Sequence, residues 1–302
     1  MTPRLFGGIE GGGTKFICAV ADADNNILAE ARFATGHPSD TLDACAAFFE
    51  EQQVRLGPLA ALGAACFGPL DAHLGSPTYG RILPTPKPGW TGADVAGYLA
   101  RRLGLPVGFD TDVNGAVLAE ALWGAGQGLA DIVYFTIGTG VGGGALLAGQ
   151  LLHGMLHPEM GHIPLPHDLR VDPFPGSCPF HGDCFEGLAS GPAMEKRWGQ
   201  PAQTLPADHP AWELEAHYIA LAMQSVICTL SPQRIILGGG VASQPQLLPM
   251  VRAKTQALLN GYIQSPLVLT DIDHYLVSPG LGSRSGVLGA IALARQALEQ
   301  KP

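Results

Sequence analysis

Apolar residues recur along this chain in two rhythms, short near-continuous runs and longer stretches at helical spacing, and their alternation predicts an α/β fold. Residues 4–21, R-L-F-G-G-I-E-G-G-G-T-K-F-I-C-A-V-A, read as a strand, a glycine-rich turn and a second β-rich run. Asn25-Asn26 marks the next turn, so 16–33 reads as a hairpin. Leu42, Cys45, Ala46, Phe49 and Val54 give 40–56 a helical period, which Gly57-Pro58 stops. Leu59 to Phe67 is a short buried strand, and the Pro- and Gly-rich run from there to Trp90 is expected to be an active-site loop. A helix over 92–104 closes on Gly104, followed by a strand from Leu105 to Phe109 and an Ala-rich helix over 115–124. A strand, turn and strand fill 130–148, and helical patterning resumes after Ser190-Gly191-Pro192. A longer helix spans about 210–230 and ends at Ser231-Pro232. The strand Arg234 to Leu237 runs into Gly238-Gly239-Gly240, 245–260 is helical, 267–277 mixed, and a last Ala-rich helix covers about 285–300.

One repetition inside this order suggests how the chain is organised. The turn I-G-T-G-V-G-G-G after the strand at 132 copies the design of E-G-G-G-T-K near the start: apolar strand, glycines with a threonine, apolar strand. Two such hairpins, each opening a β-rich half, suggest a duplicated α/β fold that clamps a nucleotide between its halves. Turns of this kind bring bare backbone N–H groups to an anion, which makes Gly12, Gly13, Thr14 and Lys15, and Gly138, Thr139 and Gly140, candidates for phosphate contacts. The bland alternative for either is a plain hairpin turn. The first is not a Walker loop, because its glycine spacing differs and no long helix follows it. Glu10, just before the first turn, is placed to orient a metal or a water. The strand that ends in glycines at Gly239, Gly240 and Val241 leaves room for a flat group against the backbone; its alternative is a ligand-free strand–helix turn.

Two further stretches carry chemistry. Asp110-Thr111-Asp112-Val113-Asn114 lies where a strand gives way to a helix, a position suited to a general base for an alcohol. The competing role for Asp112, or for Asn114, is a helix N-cap. The stretch His157 to Glu186 holds the most reactive groups. Cys178, His181 and Cys184 are evenly spaced around Pro179 and Gly182, a tight knuckle whose thiolates and imidazole can converge on a tetrahedral ion with His162 as the fourth ligand. Four protein ligands leave no open position, so the zinc would be structural. The alternatives are a Cys178–Cys184 disulfide or free thiols in a loop. A metal that fixes His162 and Cys184 also fixes Glu159 and Glu186, and rigid acceptor-only carboxylates suit a ligand rich in hydroxyls, such as a sugar.

Composition narrows the partners. In 302 residues, 46% are hydrophobic and only 14% charged, enough for a substantial core and unlike a disordered chain. A net charge of −9 with no basic run argues against a nucleic-acid surface. No leader and no apolar stretch of membrane-spanning length are read. Cys18, Cys45, Cys66 and Cys228 fall in apolar surroundings and are expected to be small buried hydrophobes, a usage that fits a reducing cytoplasm.

Taken together, E-G-G-G-T-K, D-T-D-V-N-G, I-G-T-G-V-G-G-G, H-P-E-M-G-H, C-P-F-H-G-D-C-F-E and I-L-G-G-G-V resemble the ROK family of repressors and sugar kinases across essentially the whole chain, most closely its bacterial fructokinases. The resemblance implies a two-domain actin/hexokinase-type ATPase (ribonuclease H-like) fold with an interdomain cleft, one domain over 1–112 plus 287–302 and the other, with the zinc knuckle, over 113–286. It implies an ATP-dependent, Mg²⁺-requiring hexose kinase that makes fructose 6-phosphate, with Asp112 as base. Thr111, Glu159, His162 and Glu186 would bind the sugar, and Gly12–Lys15 and Gly138–Gly140 the phosphates. Gly239, Gly240, Val241 and Pro192 would lie by the adenosine, with Glu10 on the magnesium side. A cytoplasmic homodimer is expected by the same analogy. Three positions depart from the wider family: Glu10 where Asp is common, Thr111 where most sugar kinases have Asn, and His181 where a third Cys is usual. The last two point away from a typical glucokinase. Within the family a sugar-responsive repressor would need a DNA-binding domain ahead of the first strand, for which the sequence is expected to leave no room. A binding-only relative would not need Asp112.

Overall fold

The computed structural model describes residues 4–299; the terminal residues assigned above to the first domain and the last helix's end at 300 lie outside them. The element order is β1 (Leu5–Gly11), β2 (Lys15–Ala21), β3 (Ile27–Ala34), α1 (Pro38–Leu56), β4 (Leu59–Cys66), α2 (Val95–Leu103), β5 (Val107–Thr111) and α3 (Asp112–Trp123). It continues with β6 (Ile132–Ile137), β7 (Val141–Leu147), β8 (Gln150–Leu151), α4 (Phe185–Ala189), α5 (Gly191–Trp198), α6 (Ala211–Leu230) and β9 (Arg234–Gly238). The chain ends with α7 (Leu247–Leu259), the short α8 (Pro266–Leu269) and α9 (Ile272–Tyr275), β10 (Leu276–Val277) and α10 (Ser285–Glu299).

Two compact units result. Among the described residues the first takes 4–122, 151–158 and 284–299; the second takes 123–150 and 159–283. The first unit therefore includes 113–122, 151–158 and 284–286, beyond the span read from the sequence. Each unit is built on a five-stranded sheet, in the orders β3-β2-β1-β4-β5 and β10-β9-β6-β7-β8. Read from opposite edges these are one topology. In both, the strand before the glycine turn pairs antiparallel with the strand after it and parallel with a later strand (β1 with β2 and β4, β6 with β7 and β9). The echo of the two turns is thus the visible part of a duplicated sheet.

In the first unit α10 lies directly on β1, β4 and β5. The approach is so close that a Cβ on Gly63 would sit 1.9 Å from the Ala290 carbonyl oxygen, and one on Gly289 2.2 Å from the Gly115 backbone. Only glycine fits such contacts. On the other side Trp90, fully buried, stacks on Phe16 at 5.2 Å and donates its Nε1–H to the Gly36 carbonyl at 3.0 Å. That anchor holds the irregular loop from Phe67 to Trp90 against the sheet. α2 ends on Gly104 with φ of 68°, the left-handed cap expected of it. In the second unit α6 packs its apolar side inward, and Cys228, expected inside, is exposed, because Val226 and Ile227 take the buried side of that turn. Cys18, Cys45 and Cys66 are buried. Among the described residues no helix is long and apolar enough to cross a membrane.

Candidate active site and metal centre

The first unit gathers its candidates at the strand ends. The β1–β2 turn is closed by Gly12 N–H donating to the Lys15 carbonyl at 2.9 Å, leaving Gly13, Thr14 and Lys15 exposed. Lys87, from the loop that Trp90 anchors, reaches over this turn and donates to the Gly13 carbonyl at 2.6 Å. Asp112 opens α3. The cap is neither Asp112 nor Asn114: the Thr111 hydroxyl accepts the Asn114 N–H at 3.0 Å, which leaves the Asp112 carboxylate on the helix's first residue, half-buried and accepting the Val113 N–H at 2.9 Å. Thr111 is 4% exposed, with its hydroxyl oxygen engaged in that cap.

Glu10 sits on β1 with Oε2 buried and lacking a hydrogen-bond partner. Its carboxyl fills the space beside Gly286, where a Cβ would stand 2.4 Å from it. Burial, then the charge of Asp112, pushes the Glu10 carboxyl up to about 7, with Lys15 opposing. A buried, partnerless carboxylate oxygen fits a cation ligand, so the residue suits a metal-side role. The raised value also fixes a stability signature. The folded chain keeps a proton that the unfolded chain gives up, so the burial costs little below about 4.5, the cost grows as pH rises to about 7, and it is constant above that. Between pH 5 and pH 8 the wild type should therefore lose about 2–3 kcal/mol relative to Glu10→Gln. Urea unfolding of both proteins at the two pH values measures this; parallel pH dependences would remove the buried-carboxylate account.

The second unit brings its glycine-rich segments to one end of the sheet. Gly191 N–H, at the start of α5 beside Pro192, donates to the Gly138 carbonyl at 2.7 Å, and Val241 N–H donates to the Ile137 carbonyl at 2.9 Å. Gly239 has φ of 92°, and a Cβ there would lie 2.4 Å from the Ile137 oxygen. The β6–β7 turn, the α5 N-terminus and the β9 end therefore converge. The same turn meets a carboxylate: Glu186, on α4, accepts the Val141 N–H at 3.0 Å through Oε2. Glu159 is open at the surface, yet the protein around it and the charge of Glu186 push its carboxyl up to about 6.

His162, Cys178, His181 and Cys184 close into one cluster, their ligand atoms all within 4.8 Å of one another. His162 Nδ1 is 3.5 Å from Cys184 Sγ and 3.7 Å from Cys178 Sγ, and His181 Nδ1 is 3.6 Å from Cys178 Sγ. A tetrahedron around zinc, with Zn–N of about 2.0–2.1 Å and Zn–S of about 2.3 Å, has edges of roughly 3.3–3.8 Å. The thiols are free and not paired as a disulfide. The donor set and its spacing thus fit a four-ligand zinc. Cys184 is the residue at which α4 begins, and Phe185 N–H donates to the Ile163 carbonyl at 3.0 Å, so a metal there ties His162 and Glu186 to one corner.

Set beside known proteins, the chain matches the ROK family over residues 6–297. The chain belongs to the ROK family. It is 44% identical to the fructokinase of Zymomonas mobilis, over 96% of each chain. Among solved structures it resembles the ROK hexokinase of Thermus thermophilus (TM-score 0.79, 26% identity, 99% of this chain and 100% of that one). It also resembles a ROK glucokinase from Streptomyces griseus in complex with glucose and AMPPNP (TM-score 0.78, 26% identity, 97% and 99%). The fold is accordingly the two-sheet α/β architecture of the ROK hexokinases.

Two residues went unread in the sequence. Lys87 stands alone between prolines in T-P-K-P-G-W, and that proline bracket was its only local signal. His153 lies four residues before His157 in L-L-H-G-M-L-H, and nothing local tells that it pairs with Asp110 at 2.8 Å.

Proposed function

We propose that this ROK protein is an ATP-dependent fructokinase that phosphorylates the 6-hydroxyl of fructose to give fructose 6-phosphate. The observation that carries the sugar is the contrast between 44% identity to a fructokinase and 26% to the glucokinase, each over nearly the whole chain. Phosphoryl transfer asks a protein for positioning and for stabilisation of charge on the moving group rather than for covalent work. Asp112 takes the proton of the attacking hydroxyl; its half-buried carboxylate at a helix start supports that role. Glu159 and Glu186 accept hydroxyl donors of the sugar, and His162 and Thr111 are further sugar contacts of this proposal. Gly12–Lys15 and Gly138–Gly140 present backbone N–H groups to phosphates, and Pro192 with Gly239–Val241 flanks the adenosine. Glu10 is the carboxylate suited to the side of a Mg²⁺ bound with ATP, which would supply neutralisation of phosphate charge. The zinc is structural. A cytoplasmic homodimer belongs to the same proposal.

A coupled assay with ATP and Mg²⁺ over fructose, mannose, glucose and N-acetylmannosamine tests it. Fructose should lead in kcat/KM by at least about tenfold, a difference of about 1.4 kcal/mol in transition-state binding. A flat profile, or a lead for mannose or glucose, would select the alternative of a broad hexose kinase, to which the hexokinase likeness lends its support. Silence on every sugar would leave a binding-only protein.

A further inference from the structure

The carboxylate next but one to Asp112 is bound on both oxygens. Asp110, 3% exposed at the end of β5, accepts the Thr111 N–H at 2.7 Å and the Asn114 Nδ2–H at 2.8 Å through Oδ1. Its Oδ2 lies 2.8 Å from Nε2 of His153. Asp110 thereby grips one residue on each side of Asp112: Thr111, the last of β5, and Asn114, in the first turn of α3. His153 comes from 151–158, a segment the chain enters only after building β6 to β8, yet it belongs to the first unit. That segment is itself clamped to the loop after β4. His157 Nε2 accepts the Leu70 N–H at 3.1 Å, and His73 Nε2 is 3.0 Å from the Gly154 carbonyl. Both clamps follow His153 in the chain, at Gly154 and His157, and tie down the segment whose imidazole meets Asp110.

We infer that His153 is a positioning residue for phosphoryl transfer: by donating to Asp110 it holds Thr111 and Asn114, and through them the carboxylate of Asp112. A buried carboxylate that loses its donor reorganises to recover one. Here the groups free to follow it are the strand end and first helical turn that bracket Asp112. Displacement of a base by about 1 Å costs on the order of 100-fold in rate, because the proton must pass within hydrogen-bond reach. His153 touches no reacting atom in this account. Its role rests on Asp112 being the base, as proposed above.

The test is steady-state kinetics on fructose and ATP for His153→Phe, His153→Ala and His153→Gln, with Asp112→Asn and Asp110→Asn alongside and thermal unfolding of each. Phe and Ala remove the donor, Gln keeps one, and either donor-less variant that folds suffices. Expected is a loss in kcat of about 10–100-fold for Phe and Ala, with KM for ATP within about threefold, and recovery of most of kcat by Gln. Combined with Asp110→Asn, the donor-less substitution should add little further loss, because both break one contact. Donor-less variants with kcat within about twofold of wild type, equal damage from Phe, Ala and Gln, or full additivity with Asp110→Asn would each overturn the role. Asp112→Asn separates the two claims. An active Asp112→Asn removes the base itself, whereas an inactive one beside unimpaired donor-less variants removes only the part given to His153.

Discussion

Asp112→Asn should lower kcat by about 10²–10⁴-fold while leaving sugar binding measurable, the range that a positioned general base commonly supplies. The substitution is mild for the fold. Asparagine keeps the Oδ1 that accepts the Val113 N–H, and the cap of α3 belongs to Thr111, so the helix start should survive. What is lost is basicity at one atom. Fructose binding by calorimetry and kcat by the coupled assay check the two halves separately. A variant within about tenfold of wild-type kcat would end the base assignment, since orientation alone would then account for the rate. A variant that loses binding as well would mean that Asp112 holds the sugar in its ground state, and the split between kcat and KM reads that directly.

The place of Asp112 at a strand–helix junction was legible in the sequence because its signal is local. A short apolar strand running into D-T-D, with a helix beginning at once, is a local pattern, and so are glycine clusters set between apolar runs. The duplication of the sheet was visible for the same reason: β1–β2 and β6–β7 are hairpins whose turns carry their own signature. The knuckle was readable because Cys178, His181 and Cys184 lie on one short loop. What escaped was long-range. His153 meets Asp110 across 43 positions of sequence, and no period or spacing reports such a pair. Return of 151–158 to the first unit is likewise a matter of tertiary packing. Cap assignment failed on competition at close quarters: Thr111, Asp112 and Asn114 are all good capping residues, and the register by which Thr111 reaches the Asn114 N–H is decided by where β5 ends. Cys228 was misread because its apolar neighbours are the ones that face inward.

Removal of zinc should destabilise the second unit and weaken sugar binding together. Three of the donor–donor distances match tetrahedral edges and all four donors lie within 4.8 Å of one another, and three of them lie on a short loop with little apolar packing of its own, Phe180 and His181 being exposed. Such a loop depends on its ion, because the binding free energy of a structural metal is folding free energy. A metal present at about a thousand times its dissociation constant contributes about 4 kcal/mol. Dialysis against a strong chelator, or Cys184→Ala, should therefore lower the unfolding temperature by several degrees, and elemental analysis should find one zinc per chain in the wild type and none in the variant. The KM for fructose should rise by about tenfold or more, since Cys184 is the residue from which α4 and Glu186 start and His162 is proposed both as ligand and as sugar contact. The two readouts should move in step during a zinc titration of the chelated protein, stability and sugar affinity returning at the same metal concentration. A zinc-free Cys184→Ala protein of unchanged stability and full activity would overturn the structural-zinc assignment. Recovery of stability without recovery of affinity would detach Glu186 and His162 from the sugar while leaving the metal in place.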